Sequence, residues 1–283
     1  MIEIRTGSDS DIPKIRAAHD MLTSLGVPFR PRVLSAHRTP ERMASEARAL
    51  EANGVKVSIA AAGGAAHLPG MTASETLVPV VGIPVPTEAL GGVDSLYSIL
   101  QMPDGCPVGT VGIGQAEAAA ILAAEIVALG DAALADRLRA RKGLSAPAAA
   151  ARLRTVAVVG NPGPRADPML ELLRAMGLSP VQTTEGAAVV IAFRDAPAIA
   201  ARTIAPVIAV PTSDARGGVE LIEPHLGTAP VAGMGINRVK NAALYAALIV
   251  GVHDPEVRAK ARSYREGLRK ESEAKDARLR ASS

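Results

Sequence analysis

Short apolar runs alternate with helically spaced apolar residues through the first 130 positions. Ile2–Thr6 reads as a strand ended by Gly7-Ser8-Asp9-Ser10-Asp11. Ile12–Leu25 places Ile15, Ala18, Leu22 and Leu25 on one helical face and stops at Gly26. Arg30–Leu34 is the next strand. Thr39–Asn53 is a helix with Pro40 in its first turn and Gly54 behind it. Val55–Ala62, Val78–Pro84 and Val108–Ile113 are further strands, and Ala116–Leu129 is an Ala-rich helix. Strands apolar on both faces and separated by helices predict an α/β fold, a three-layer αβα arrangement around a parallel sheet of flavodoxin or Rossmann-like type. Such sheets bind ligands in loops at the carboxyl ends of their strands.

The pattern then restarts. Residues 143–152 are mostly small and contain Pro147, as a linker would. Beyond them Thr155–Gly160 parallels Ile2–Gly7, and Val189–Ala192 parallels Val57–Ala60. Pro206–Pro211 parallels Pro79–Pro84, and Ala229–Ile236 parallels Cys106–Ile113. Asn241–Gly251 with Asp254 corresponds to Ala118–Ala128 with Asp131. The offset shrinks from 153 residues at the first pair to 123 at the last, so the second copy is shorter. Much of the loss is expected between Gly177 and Val189, where the first copy carries Arg30–Asn53. The chain is therefore expected to hold two tandem copies of one fold, 1–142 and 153–283.

Composition narrows the chemistry. Hydrophobic residues make up 48% of 283, enough for a real core, so global disorder is excluded. There are 54 Ala but only three Tyr, two Phe and no Trp. Stacking platforms for single-stranded nucleic acid are thus missing. The net charge of +3 is concentrated at the end: residues 255–283 hold nine Lys/Arg and five acids of alternating sign, the pattern of a solvated helix face. Nucleic acid is therefore not an expected partner. One cysteine, Cys106, leaves neither an intrachain disulfide nor a Cys-based metal site. No signal-peptide layout and no membrane-length apolar run is seen, so a cytoplasmic location is expected.

Three loops collect the unusual residues. Gly7-Ser8-Asp9-Ser10-Asp11 offers backbone N–H groups and hydroxyls suited to phosphate, with carboxylates suited to ribose; an ordinary helix cap would use the same residue types. Ser35-Ala36-His37-Arg38-Thr39-Pro40 sets a titrating imidazole beside an anion-binding guanidinium. Thr-Pro alone needs no more than a helix start. Gly63-Gly64-Ala65-Ala66-His67-Leu68-Pro69-Gly70-Met71 lets the backbone approach a flat ligand closely, or simply packs on a neighbour.

Taken in order, GSDSD, SAHRTP, AAGGAAHLPGM, PVVGIPV, DSLYSILQMP and GCPVGTVGIG resemble the class I N5-carboxyaminoimidazole ribonucleotide mutase (PurE) family of de novo purine synthesis. The resemblance runs through residues 1–130. It returns in GINRVKNAALYAALIV and in the tail at 254–279. It implies transfer of a carboxylate from the exocyclic nitrogen to carbon 4 of an aminoimidazole ribonucleotide, without cofactor or metal. Ser8, Asp11 and Arg38 would bind the ribose phosphate, supported by Asp9 and Ser10, with Ser35 lining the site. His37 would be the general acid and base. Gly63, Gly64, Ala65, His67 and Leu68 would wall a small, dry pocket. The family's usual Trp after GSxSD is Ile12 here, and the Asn that usually opens its last conserved helix is missing from the first copy but stands as Asn241 in the second.

The second copy has Gly160-Asn161-Pro162-Gly163-Pro164 in place of GSDSD, Phe193-Arg194-Asp195-Ala196 in place of AAGGAAH, and no SAHRTP. It is expected to be catalytically dead, leaving one site per chain. The family's assembly implies a homo-oligomer, a tetramer of pseudo-dimeric chains, in which the second copy serves as scaffold and completes a site. Direct carboxylation of aminoimidazole ribonucleotide, a paralogue acting on a related nucleotide, and a non-catalytic nucleotide-binding module are the competing readings.

Overall fold

The computed structural model describes residues 1–144, 151–161, 163–213 and 222–282. Most of the linker anticipated at 143–152, and Pro162 of the altered second-copy loop, lie outside the described residues. The first half contains β1 (Ile2–Thr6), α1 (Arg16–Ser24), β2 (Phe29–Val33), α2 (Pro40–Arg48) and β3 (Val57–Gly63). It continues with α3 (His67–Glu75), β4 (Val80–Val85), α4 (Val93–Leu100), β5 (Gly109–Thr110), α5 (Ala116–Ala128) and α6 (Ala132–Arg141). The second half contains β6 (Arg152–Val159), α7 (Asp167–Ala175), β7 (Ser179–Val181), β8 (Ala187–Ala192), α8 (Ala196–Ala200) and β9 (Val207–Ala209). After these come α9 (Glu223–Leu226), β10 (Val231–Gly233), α10 (Val239–Gly251) and α11 (Pro255–Ala281).

Each half builds a parallel sheet in the same order, β2-β1-β3-β4-β5 and β7-β6-β8-β9-β10. The two meet antiparallel where Thr110 pairs with Gly233, giving one ten-stranded sheet. Parallel order within each half and an antiparallel seam between them are what a twofold relation between duplicated units produces. The outer strands carry Pro31 and Pro180, which lack the N–H that a further strand would need. The doubly wound α/β architecture predicted from the apolar pattern is the one observed.

Three local expectations change. The helix drawn from Ile12 begins at Arg16, because Pro13 interrupts the start and the chain makes tight turns at Asp9–Asp11 and Pro13–Ile15. β5 is only two residues long, although Val111 still donates its N–H to Gly82 (3.1 Å). The second copy keeps an edge strand, β7, in the region thought lost; what it lacks is a counterpart of α2, since β7 and β8 are joined by residues 182–186 alone.

The seam is apolar and shared. α1, α5, α7 and α10 line one face of the sheet in a single core that spans both halves. Tyr245 of α10 reaches into the first half, where its buried hydroxyl donates to the Val80 carbonyl (3.0 Å). Gly109 makes room for that ring: a Cβ there would lie 2.4 Å from the Tyr245 oxygen. Asn241 also crosses over, accepting from the Gly105 N–H (2.9 Å) and donating to the carbonyls of Met102 (3.3 Å) and Pro103 (3.0 Å).

α6 and α11 reciprocate across the twofold. Each opens on an Asp cap, Asp131 accepting from the Leu134 N–H and Asp254 from those of Glu256 and Val257. Eleven residues further on, each sends a cation to the opposite half. Lys142 donates to the carbonyls of Ala200 and Thr203 (both 2.7 Å), and Arg265 donates to those of Ser74 and Thr76. These cations cap the exposed carbonyl ends of α8 and α3.

Candidate active site

In the first half the order β2-β1-β3 puts three loops side by side at the carboxyl ends of the strands. The Gly7–Asp11 loop follows β1 in the middle. The Ser35–Thr39 loop follows β2 on one side, and the Gly64–Ala66 loop follows β3 on the other. This is the point where the chain order of the sheet reverses, the usual ligand crevice of such folds.

Across it, His37 Nε2 lies 2.8 Å from His67 Nδ1, the rings meeting edge to face with centroids 4.9 Å apart. Thirty residues of chain separate them. At that distance one nitrogen donates and the other accepts, so the pair shares a single proton between the facing atoms. Both rings are exposed, as is Arg38, which leaves the imidazoles open to a ligand.

The SAHRTP loop is shaped by its own polar groups. Ser35 Oγ accepts from the Arg38 N–H (3.1 Å), and the Ser35 carbonyl accepts from Thr39 Oγ1 (3.0 Å) and the Thr39 N–H (3.0 Å). That turn lifts His37 and Arg38 outward before Pro40 starts α2. Under it, Ala36 is buried in the cluster that packs α2 and α3 on the sheet.

The first loop is likewise self-bonded. Ser10 Oγ donates to Ser8 Oγ (2.9 Å), Ser8 Oγ donates to Asp9 (3.1 Å), and the Ser10 N–H reaches Ser8 Oγ (3.3 Å) and Asp9 (3.0 Å). Asp11 lies 3.5 Å from Lys14. Ile12 stands at the end of this loop and is 38% exposed.

The third loop is held from outside. Gly64 has φ of +66°, a conformation that favours glycine. Its N–H donates to Ser95 Oγ (2.9 Å), whose own hydroxyl donates to the Val85 carbonyl (2.8 Å). Its carbonyl accepts from Ser98 Oγ (3.3 Å). Asp94, beside them at the start of α4, accepts from Thr87 Oγ1 (2.9 Å). Gly63 and Ala65 are exposed, whereas Leu68 is buried in the core beneath α2 and α3. Of the residues picked from sequence, the structure thus brings His37 and His67 into contact, sets the Ser8–Asp11 and Ser35–Arg38 loops beside them, and turns the Leu68 side chain to packing.

Ser95 and Ser98 were not singled out from sequence, although they sit in the DSLYSILQMP string. The available signal was a glycine pair whose backbone groups need partners. Cys106 is a further nucleophile type in this half, but burial pushes its thiol up, with Arg265 opposing, and its Sγ contacts the Gly70 carbonyl at 3.4 Å. Among the described residues no three His, Cys, Asp or Glu side chains converge as they would around a metal ion.

The chain is similar to known proteins over much of its length. The chain is 49% identical to the N5-carboxyaminoimidazole ribonucleotide mutase of Escherichia coli strain K12 over 166 residues, 58% of this chain and 93% of that one. It is 55% identical to the mutase of Brucella melitensis over 139 residues, 48% of this chain and 86% of that one. The crystal structure of Treponema denticola PurE aligns with 50% of this chain and 89% of its own, at 30% identity and a TM-score of 0.47. The AIR carboxylase family model matches residues 1–147 and again 181–271, so both halves carry it. With the fold, the doubled match and the loop sequences in agreement, the chain belongs to the AIR carboxylase family.

Proposed function

We propose that the protein is an N5-carboxyaminoimidazole ribonucleotide mutase, an isomerase of purine biosynthesis acting on a small ribonucleotide. The observation that carries this reading is the 2.8 Å contact of His37 with His67 at the sheet's switch point. Two relatives at about half identity bear that enzyme's name. In this reading residues 1–142 form the catalytic half and residues 153–283 the degenerate one.

His37 carries the proton. As the N–carboxylate bond breaks and carbon dioxide departs, the imidazolium gives its proton to the exocyclic nitrogen. Carbon 4 then attacks the retained carbon dioxide, and His37 takes back the proton that carbon 4 loses, so the enzyme ends as it began. His67 holds the His37 ring and accepts or donates across their shared contact. Ser8, Asp11 and Arg38 hold the ribose phosphate, the arginine as a charge-assisted donor, with Asp9 and Ser10 supporting the turn. Ser35 shapes the turn, and Gly63, Gly64 and Ala65 approach the imidazole closely, Leu68 supporting them from below.

Holding carbon dioxide requires a site shielded from water, while His37, Arg38 and His67 are exposed in the isolated chain. A neighbouring chain covering this face is the natural complement, and the protein is expected to work as a tetramer of pseudo-dimeric chains in the cytoplasm. No helix among the described residues is long and apolar enough to cross a membrane.

The test is turnover of purified protein on N5-carboxyaminoimidazole ribonucleotide, against aminoimidazole ribonucleotide with bicarbonate. Conversion of the first is expected. Conversion of the second alone would make the protein a direct carboxylase, and conversion of neither would remove both activities. His37→Asn should lower kcat by about 10²- to 10⁴-fold with substrate binding retained. Full activity in that variant would deny His37 its role.

A further inference from the structure

β1 carries two charges where a strand flanked on both sides should be apolar. Ile2 and Ile4 pack in the core shared with α1 and α5, while Glu3 and Arg5 point to the face covered by α2 and α3, and both are fully buried. Arg5 Nε donates to Glu3 Oε1 (2.5 Å), and Arg30 of β2 donates to Glu3 Oε2 (2.6 Å). Arg5 Nη2 continues to the carbonyl of Glu46 in the last turn of α2 (2.9 Å), beside an ion pair of Arg32 with the Glu46 carboxylate. Burying charges is costly, and apolar residues of similar volume commonly hold a fold at least as well. Arg5 Nη1, Arg30 Nη2 and Ser58 Oγ, in the same layer, are buried with no hydrogen-bond partner among the described residues.

The second half shows that the sheet itself does not need this layer. Its strand pairings set Val156 in the place of Ile2, one residue beyond the sequence parallel. Ala157, Val159 and Val181 then stand where the first half has Glu3, Arg5 and Arg30, and all three pack in or against one apolar cluster. That half has no counterpart of α2 and no SAHRTP string. The charges therefore accompany α2 rather than the strand that bears them.

α2 has little else to fix it. Of its nine residues only Met43 and Ala47 are buried, whereas α3, of the same length, buries Leu68, Pro69, Gly70, Thr72 and Ala73. Two apolar contacts let a helix slide along its axis; a guanidinium bonded to a last-turn carbonyl does not. The far end of α2 follows directly on the Ser35 turn that carries His37 and Arg38, with the Met43 N–H bonded to the Thr39 carbonyl (2.9 Å). A displacement of the helix at Glu46 is therefore a displacement of His37 against His67, which opens α3. We propose that Arg5, held by Glu3 and Arg30, is a positioning residue for the mutase reaction, setting α2 on the sheet and with it the His37–His67 contact. Arg5 acts through α2 and touches neither imidazole. This role rests on the mutase reading of the site.

The test is the apolar replacement Glu3→Leu/Arg5→Met/Arg30→Met in the full chain, which keeps side-chain volume and leaves no charge of the trio unpaired. Its urea midpoint, followed by circular dichroism, should equal or exceed that of the parent. On N5-carboxyaminoimidazole ribonucleotide, kcat should fall about tenfold or more with KM little changed, since misplacing a reacting group by about 1 Å costs up to about 10²-fold. Amide hydrogen exchange should rise in α2 and stay unchanged in α3. Parental kcat in the folded variant would overturn the proposal. So would failure of the variant to fold, because the cluster would then serve the fold itself. A parent without turnover on this substrate would remove the mutase reading separately, and α2 would still decide on the anchor: raised exchange in the variant keeps it, unchanged exchange overturns it.

Discussion

Ser95 is fully buried, and both of its hydroxyl's roles are used: it accepts from Gly64 and donates to Val85. It holds Gly64, whose left-handed backbone leads through Ala65 and the buried Ala66 to His67. Ser95→Ala leaves the Gly64 N–H and the Val85 carbonyl without that partner, a cost of about 1–3 kcal/mol. In steady-state kinetics kcat should fall about tenfold with KM little changed, because His67 loses its fixed approach to His37. Lower stability with normal kcat would reduce Ser95 to a folding role. His37, Arg38 and His67 could be picked out in the sequence because their loops combine residue types that packing does not require. Ser95 could not, since a serine inside a helix reads as unremarkable until its glycine partner, 31 residues away, is known.

At the level of elements, the crossing helices depend on their caps. Asp254 opens α11 and also pairs with Arg154 (2.6 and 3.2 Å). The bond from Arg154 is the main reason its carboxyl titrates below the usual aspartate value, burial pulling the other way. A depressed carboxylate stabilises the fold fully above its unfolded value and loses that contribution as pH falls through the folded one. Asp254→Ala should therefore lower the urea midpoint at pH 7, at a cost of about 1 kcal/mol for the cap. The gap between variant and parent should shrink toward about pH 2. An equal gap at both pH values would show that the charge is irrelevant. The helix at 254–279 and its Asp start were visible in sequence, as was the matching Asp131. Where α6 and α11 land was not, because Arg265 and Lys142 cap carbonyls of the opposite half and no local pattern encodes that contact.

For the whole molecule, the shared sheet and the core that runs through both halves make them one folding unit. Tyr245 shows it most directly: its hydroxyl, pushed above the ordinary tyrosine range by burial, remains protonated and bonded to a strand of the other half. Full-length protein should unfold in urea as a single transition by circular dichroism, and Tyr245→Phe should shift that transition by about 1 kcal/mol without splitting it. Two separated transitions would mean that the halves fold independently. The apolar periodicity was enough to determine the α/β class, the duplication and the loops that gather at the candidate site, because strand burial, helix stops and turn residues are local properties. Even the trimming was legible as a change of offset, though it was placed on a strand that is kept. The tertiary structure decided the rest: the antiparallel seam at Thr110 and Gly233, the meeting of His37 with His67, and the reach of Tyr245 into the opposite half. Each of these depends on which distant surfaces are brought together, and that follows from burying the whole chain at once rather than from any one segment.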